Sequence, residues 1–554
     1  MRRRNGVKLP KGSAVFSRVG IVASDFSNSG ATPVEATAVH QQQRSQPMRW
    51  REFAALGLWT LFADLLIFRT LGYSGPALFV ALAPLFFLAR EFEGKEKLTA
   101  GTIVMLLWLC AARLAWAGSS LTVTSAVMLT LALAMVTSGC LPMVLEGIAY
   151  AARVLIDGLI WIFAHRLPGI ARSEDRAQTP TTATWLLPII ATAVFGGIFV
   201  LANPDLLNWF SKRFSRFADR LWSWFGGLSV WEIPFCLIAF VLGAGLLRPL
   251  VPMLRFGPVN TRHVIDSSEL QPAPLFAAYR NTLITLIVLF AAYLAFEFKT
   301  LWHHDFPPGF YYAGYAHQGA AWLTFALALA TGLLSLVFSG AMLRDARLIW
   351  IRRLTWVWSA QNFLLAAAVY NRLTIYVGYN GMTRLRTVGF FGITVVVIGF
   401  MLVLCKIAAN RGFWWLIRAQ LVALALTVIG YSLFPVDYVA HRYNAAQVAG
   451  GYLHPSVMIA VKPIDDEGVL PVIALTNVDD PIIREGILAM LAQKQLQIEA
   501  ESEGEWHWTE FQASTHLLYK RLWQHKVRWS EYLDGTADRR AAIESFQNYA
   551  MQWY

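Results

Sequence analysis

The sequence predicts an all-α fold: a polytopic helical membrane bundle followed by a small α-helical soluble C-terminal domain. Three observations carry that reading. Of 554 residues, 56% are hydrophobic and 15% charged, and the mean hydropathy is +0.46. Soluble proteins average roughly 45–50% apolar and 25% charged residues. Apolar runs near the ~20 residues a crossing helix needs recur from residue 54 to residue 433. The net charge of +12 is unevenly spread, since residues 434–554 hold 10 Lys+Arg against 16 Asp+Glu. This composition excludes a soluble enzyme, a disordered scaffold or a nucleic-acid-binding domain as the main body, because such a chain would expose apolar surface it has no means to cover.

The elements follow in order. Residues 1–47 form a basic, then Ser/Gln-rich tail without a signal-type apolar core, and Met48 offers an alternative start. Residues 48–433 form the membrane domain, with about 11–12 transmembrane helices. Apolar spans are predicted at 54–70, 75–90, 99–117, 121–139, 184–202, 231–247, 275–296, 317–338, 355–376, 387–407 and 413–433. The first two are short and read as a tight hairpin. Segment 142–164 is apolar yet carries Glu146, Arg153 and Asp157, and it is open between crossing the membrane and lying in the interface. Arg153 and Asp157 stand four apart and can pair along one helix face. Segment 203–229 alternates basic and aromatic residues, the pattern of a helix at headgroup level.

Short-loop Lys and Arg set orientation. Nine fall in residues 1–53, and further clusters fall at 90–98, 166–176, 248–262 and 344–353, whereas 118–120 and 300–316 carry none. Eleven spans with 142–164 in the interface put those clusters on the cytoplasmic side of a cell inner membrane. The N-terminus is then cytoplasmic and the C-terminal domain external.

Residues 434–554 read as short helices punctuated by prolines. The stretch 468–492 resembles one helical hairpin of HEAT type, with Asp465-Asp466 and Asp479-Asp480 as helix-start caps. Late aromatics (Trp506, Trp508, Trp523, Trp529, Trp553, Tyr554) suit docking to an envelope or membrane protein partner, or to a membrane surface. The four cysteines lack metal spacing and read as small hydrophobes.

The polar stretch 361–386 is the most informative. Arg372, Tyr376, Tyr379 and Thr383 are spaced to share a helix face, with Arg384 and Arg386 just beyond. Two readings compete: snorkelling to headgroups, with the tyrosines in the aromatic belt, or an anion- or lipid-phosphate-binding site. Gly378 and Gly381 are placed to turn the chain there. Asp64, Arg113, Glu297 and Asn362 lie inside spans, where polar groups pair or serve function. Pairing, Asp64 with Arg113 or each with another polar side chain, is the simpler account. His303, His304, Asp305 and His317 are metal-capable types, but their spacing matches no zinc pattern, so no metal site is expected. No phosphate-binding loop, metalloprotease or serine-hydrolase motif occurs. No cofactor and no catalytic residue follow.

Three motifs occur in order. They are Tyr315-Ala-His-Gln-Gly-Ala-Ala-Trp-Leu323, Tyr376-Val-Gly-Tyr-Asn-Gly-Met-Thr-Arg-Leu-Arg386 and Pro435-Val-Asp-Tyr-Val-Ala-His-Arg-Tyr-Asn444. Together they resemble the bacterial polytopic membrane family catalogued as domain of unknown function four-one-seven-three, over roughly 180–500. His317 and Ala320 depart from the Arg and Phe of that pattern. The resemblance implies a multi-pass inner-membrane protein and supplies no activity. Three functions stay open: a non-enzymatic sensor, scaffold or envelope-assembly protein acting through its C-terminal helices; a transporter or channel for a small solute or lipid; and an enzyme on a lipid-linked substrate.

Overall fold

The computed structural model describes residues 50–88, 97–164, 229, 231–248, 275–299, 312–338, 345, 347–409, 411–502 and 507–553. The predicted span 184–202, nearly all of segment 203–229 and the first part of the 302–317 loop lie outside them, as do residues 1–49. Among the described residues the protein is all-α.

The N-terminal half of the bundle contains α1 (Trp50–Ala63), α2 (Ser74–Phe87), α3 (Lys97–Trp116), α4 (Ser120–Thr137), α5 (Val144–Ala164) and α6 (Glu232–Leu247). A π-helical turn, Asp64–Phe68, ends α1 and starts the tight connection to α2. The half closes around Leu56, Leu107, Leu114, Leu133 and Ala244. The C-terminal half contains α7 (Phe276–Glu297), α8 (Tyr312–Val337), α9 (Leu348–Asn380), α10 (Arg384–Ala408) and α11 (Phe413–Leu433). Its core holds Leu334, Ile351, Trp358 and Phe400. Helices α3, α4, α7, α10 and α11 are long and apolar enough to cross a membrane, and α2, α6 and part of α8 are shorter apolar helices. Their outer faces carry exposed Trp108, Val288, Leu289, Phe325 and Leu426, residues that water would reject and lipid accepts.

Segment 142–164 is no surface helix. As α5 it lies antiparallel to α6, and Tyr150 donates to the Gly245 carbonyl at 2.7 Å. The two backbones touch where both helices lack side chains. A Cβ on Gly158 would collide with the Val241 carbonyl oxygen, and one on Gly245 with that of Val154. Small residues at such a crossing let helices approach closely. Of the two readings open for 142–164, this packing favours a helix within the bundle, where its charges are absorbed, Glu146 by Arg418 of α11 (2.9 Å) and Asp157 by Arg153 (3.3 Å). Helix α11 joins the halves, because Thr122 of α4 also donates to the Ser432 carbonyl and Ile429 enters the first core.

The helices alternate in direction. Arg248 meets Glu52 at one end of the bundle, while Leu71 meets Thr509 at the other. Trp50 and the C-terminal helices therefore sit at opposite ends.

Those C-terminal helices are α12 (Val436–Ala449), α13 (Ser456–Ala460), α14 (Asp466–Val472), α15 (Pro481–Ser502), α16 (Ala513–His525), α17 (Ser530–Asp534) and α18 (Thr536–Met551). They enclose a separate core of Ile483, Ile487, Leu491, Leu518, Leu522, Trp529 and Phe546. The first arm of the expected hairpin is short, passing at Ile473 into a 3-10 turn, since Pro471 cannot donate the next helical bond. Asp480 does cap α15, accepting from the N–H groups of Ile482 and Ile483. Asp465 makes no side-chain cap; it pairs with Arg384 instead. Trp529, expected at a docking surface, is buried in this core with Nε1 bonded to Gln495, whereas Trp508 and Trp523 are exposed. Cys110 is buried, while Cys405 is exposed, and no disulfide joins the four cysteines.

Candidate functional site

The polar stretch 361–386 does not form one face. Helix α9 ends at Asn380, and Gly381 takes φ +80°, a left-handed conformation that glycine adopts without strain. Gly378 remains helical. Thr383 belongs to the next helix, where its hydroxyl caps α10 by accepting from the Arg386 N–H.

Arg372 therefore parts from its predicted companions. It lies in the bundle with both nitrogens on Glu297 of α7 (2.7 and 2.5 Å), and Tyr293 bonds both residues. Arg372 is 2% exposed and Glu297 1%. The pair is closed within the bundle. Tyr379 points outward, and its carbonyl accepts from the Tyr452 hydroxyl. Asn362 is buried, with its amide on the Trp358 carbonyl. Asp64 pairs with Arg69, one turn on, and contacts Cys236. Arg113 does not pair with Asp64.

Two of the three motifs meet at the 380–386 turn. From α12, Asn444 brackets Met382: its Oδ1 accepts from the Met382 N–H (2.6 Å) and its Nδ2 donates to the Met382 carbonyl (2.9 Å). Arg384 bonds Asp437 through Nε (2.6 Å) and also pairs with Asp465 (2.7 Å). Asp437 further accepts from the Asp465 N–H (3.0 Å). Arg386 is buried; its Nη1 donates to the carbonyls of Asn380 and Gly381, and its guanidinium lies 4.1 Å over the Tyr376 ring. Among the described residues no carboxylate pairs with it.

A cavity of about 650 Å³ opens beside this turn. Its polar wall holds Arg384, Arg386, Lys462, Asp437 and His441, together with Tyr376 and Thr383. Its apolar wall holds Leu373, Gly389, Gly392 and Ile393 of α9 and α10, Ala321 of α8 and Met458 of α13. Burial works against the Asp437 carboxylate, but Arg384 and the Asp465 N–H outweigh it and hold its carboxyl below the usual range. Burial pushes His441 down and leaves the imidazole neutral at pH 7, against the pull of Asp437. Its Nδ1 is buried without a hydrogen-bond partner.

A second contact clamps the C-terminal helices to the other half of the bundle. Arg113 of α3 makes a two-pronged pair with Glu467 of α14 (2.5 and 2.7 Å), and Trp116 Nε1 donates to the same carboxylate (3.2 Å). Gln512 accepts from the Gly118 N–H, and Ser74 donates to the Phe511 carbonyl.

The structure thus gathers Tyr376, Thr383, Arg384 and Arg386 and leaves out Arg372 and Tyr379. Residue-by-residue reading missed Asp437, His441, Lys462, Glu467 and Asn444. The third motif held the signal for Asp437, His441 and Asn444.

A family model described as Domain of unknown function (DUF4153) matches residues 75–462. The chain belongs to this family. The DUF4153 match carries a different number from the family the motifs resemble, and it starts at residue 75 rather than near 180. It spans both bundle halves and ends at Lys462, on the cavity wall, so the turn, α12 and the cavity all fall inside the DUF4153 region. No curated protein and no solved structure matches.

Proposed function

We propose that this DUF4153 chain is a non-enzymatic, multi-pass inner-membrane protein that presents its C-terminal helices, residues 434–554, as a sensing or assembly module on one membrane face. The observation that carries the reading is the two-site clamp, Arg113–Glu467 on one bundle half and Arg384–Asp437 with Asn444–Met382 on the other. Such a clamp fixes the module against the bundle and leaves its outer surface for a partner. Trp523 and Val527 of the module are exposed, with Lys526 over the Trp523 ring at 3.7 Å. Aromatic anchors of this kind are enriched at interfaces. A transport pathway is less well supported, because Arg113, Glu146, Glu297, Arg372 and Arg418 are each held by an opposite charge. The basic residues that flank the helices at the Trp50 end, among them Lys97, Arg248, Arg347 and Arg411, favour a cytoplasmic N-terminus and an external module.

A photoreactive residue placed at Trp523 in living cells tests the proposal, with the buried Trp529 position as control. The expected result is a discrete adduct with an envelope or membrane protein from position 523 alone. Absence of any adduct from 508, 523 and 527 contradicts it, as does labelling of position 523 by a reagent confined to the cytoplasm.

A further inference from the structure

The junction cavity has two unlike ends. At the polar end, Arg386 is fixed in position by two carbonyls and the Tyr376 ring, and among the described residues no carboxylate takes its charge. Its neighbour Arg384 is different, being neutralised by Asp437 and Asp465. Lys462 is a further cation on the wall. The N-terminus of the 25-residue helix α10, capped by Thr383, opens beside them, and its partial positive charge favours an anion.

His441 supplies an independent sign of a ligand. It is 6% exposed and lines the cavity, and its Nδ1 has no partner. Buried polar atoms are nearly always hydrogen-bonded, so the orphaned Nδ1 of this wall residue leaves hydrogen-bonding capacity beside the cavity.

At the other end the wall is mainly apolar, with Thr324 of α8 a polar side chain on it. Arg386, Gly389 and Ile393 follow one another on one face of α10. Gly392 adds to the bareness, since a Cβ there would meet nothing within 4 Å. Leu373 and Ala321 complete this wall. From Arg386 to Ile393 the helix rises about 10 Å.

We propose that this cavity binds a lipid with an anionic, phosphate-bearing headgroup. The phosphate lies against Arg386, Lys462, His441 and the start of α10. The hydrocarbon chain follows the Gly389–Ile393 face between α10 and α8. A free phosphate would use the first set of residues and leave the second wall without an occupant, which is why an amphiphile fits better. The inference adds a ligand to the proposed membrane bundle and is independent of any partner of the C-terminal module.

The test uses the full-length chain, purified and delipidated, with dioleoyl phosphatidic acid, dioleoyl phosphatidylcholine and inorganic phosphate as probes and native mass spectrometry as readout. Phosphatidic acid is expected to be retained roughly tenfold better than phosphatidylcholine, the scale of one charge-assisted hydrogen-bonded contact. Lys462→Gln should remove most of that preference. Gly392→Leu, which fills the apolar end and leaves every charge in place, should lower retention of phosphatidic acid without lowering that of inorganic phosphate. Arg386→Gln should also abolish the preference, but it unbraces the turn as well, so the other two variants are the decisive ones. Equal retention of the two lipids overturns the inference. So does full retention by Gly392→Leu combined with displacement by equimolar inorganic phosphate, which would make the ligand a free anion.

Discussion

Arg372 and Arg386 stand on either side of one turn, yet they lie in opposite electrostatic worlds. Arg372 meets Glu297 in the packed bundle, with Tyr293 bonding both. Arg386 is also buried, but its partners are two carbonyls and an aromatic ring, and a cavity opens in front of it. The first charge is closed by its own fold; the second is positioned and left to attract something else. An arginine inside an apolar stretch therefore says little about function until its partner is known. The same contrast separates the two clamps of the C-terminal module: Glu467 is almost wholly buried against Arg113, whereas Arg384 of the other clamp is half exposed and reaches the cavity.

The contrast can be broken in order of expected effect. Glu297→Ala should cost about 3–5 kcal/mol, since it strands a buried guanidinium; a loss of folded, monodisperse protein on purification would show it. Exchanging Arg372 and Glu297 together for Met and Leu should recover most of that stability. Asn444→Ala removes both bonds to Met382 and leaves its N–H and carbonyl unpaired in a half-buried turn, a loss of about 1–3 kcal/mol. It should appear as faster proteolysis between α12 and α14, with the bundle still intact.

The smallest effect is in pH. Asp437 and His441 both titrate below their ordinary values, so the unfolded chain binds the extra protons first. Stability contributed by these groups is complete above about pH 6.5, falls as His441 is forced to charge, and falls again below about pH 4 as Asp437 protonates. Arg384, Asp437 and Asp465 are the charges that face His441. His441→Gln should flatten the first part of the acid limb in thermal melts, and Asp437→Asn the second. A single acid limb unchanged by either variant would dissociate the junction from these groups.

How much of this could be read from the sequence depends on the range of the interaction. The helical class, the tight α1–α2 connection, the Asp480 cap and the Arg153–Asp157 pair are local and follow from periodicity and spacing. So does the turn at Gly381. The partners of Arg113, Arg384 and Arg418 lie 354, 53 and 272 residues away, and no spacing rule reaches that far. The candidate site divides on the same line. The face drawn through Arg372, Tyr376, Tyr379 and Thr383 assumed a continuous helix, and Gly381 ends it after Asn380. Ordered motifs did better than single residues, because Met382 and Arg384 in one motif meet Asn444 and Asp437 in another.

The clamp between bundle and C-terminal module is the central claim, and a charge reversal across Arg113 and Glu467 tests it most directly. Limited proteolysis of the full chain in detergent reads how tightly the module is held. Arg113→Glu and Glu467→Arg should each release the module to rapid cleavage near residues 450–465, and the double variant should restore much of the protection. Single variants that leave the module as resistant as the parent, or a double variant no better than either single one, would contradict the account.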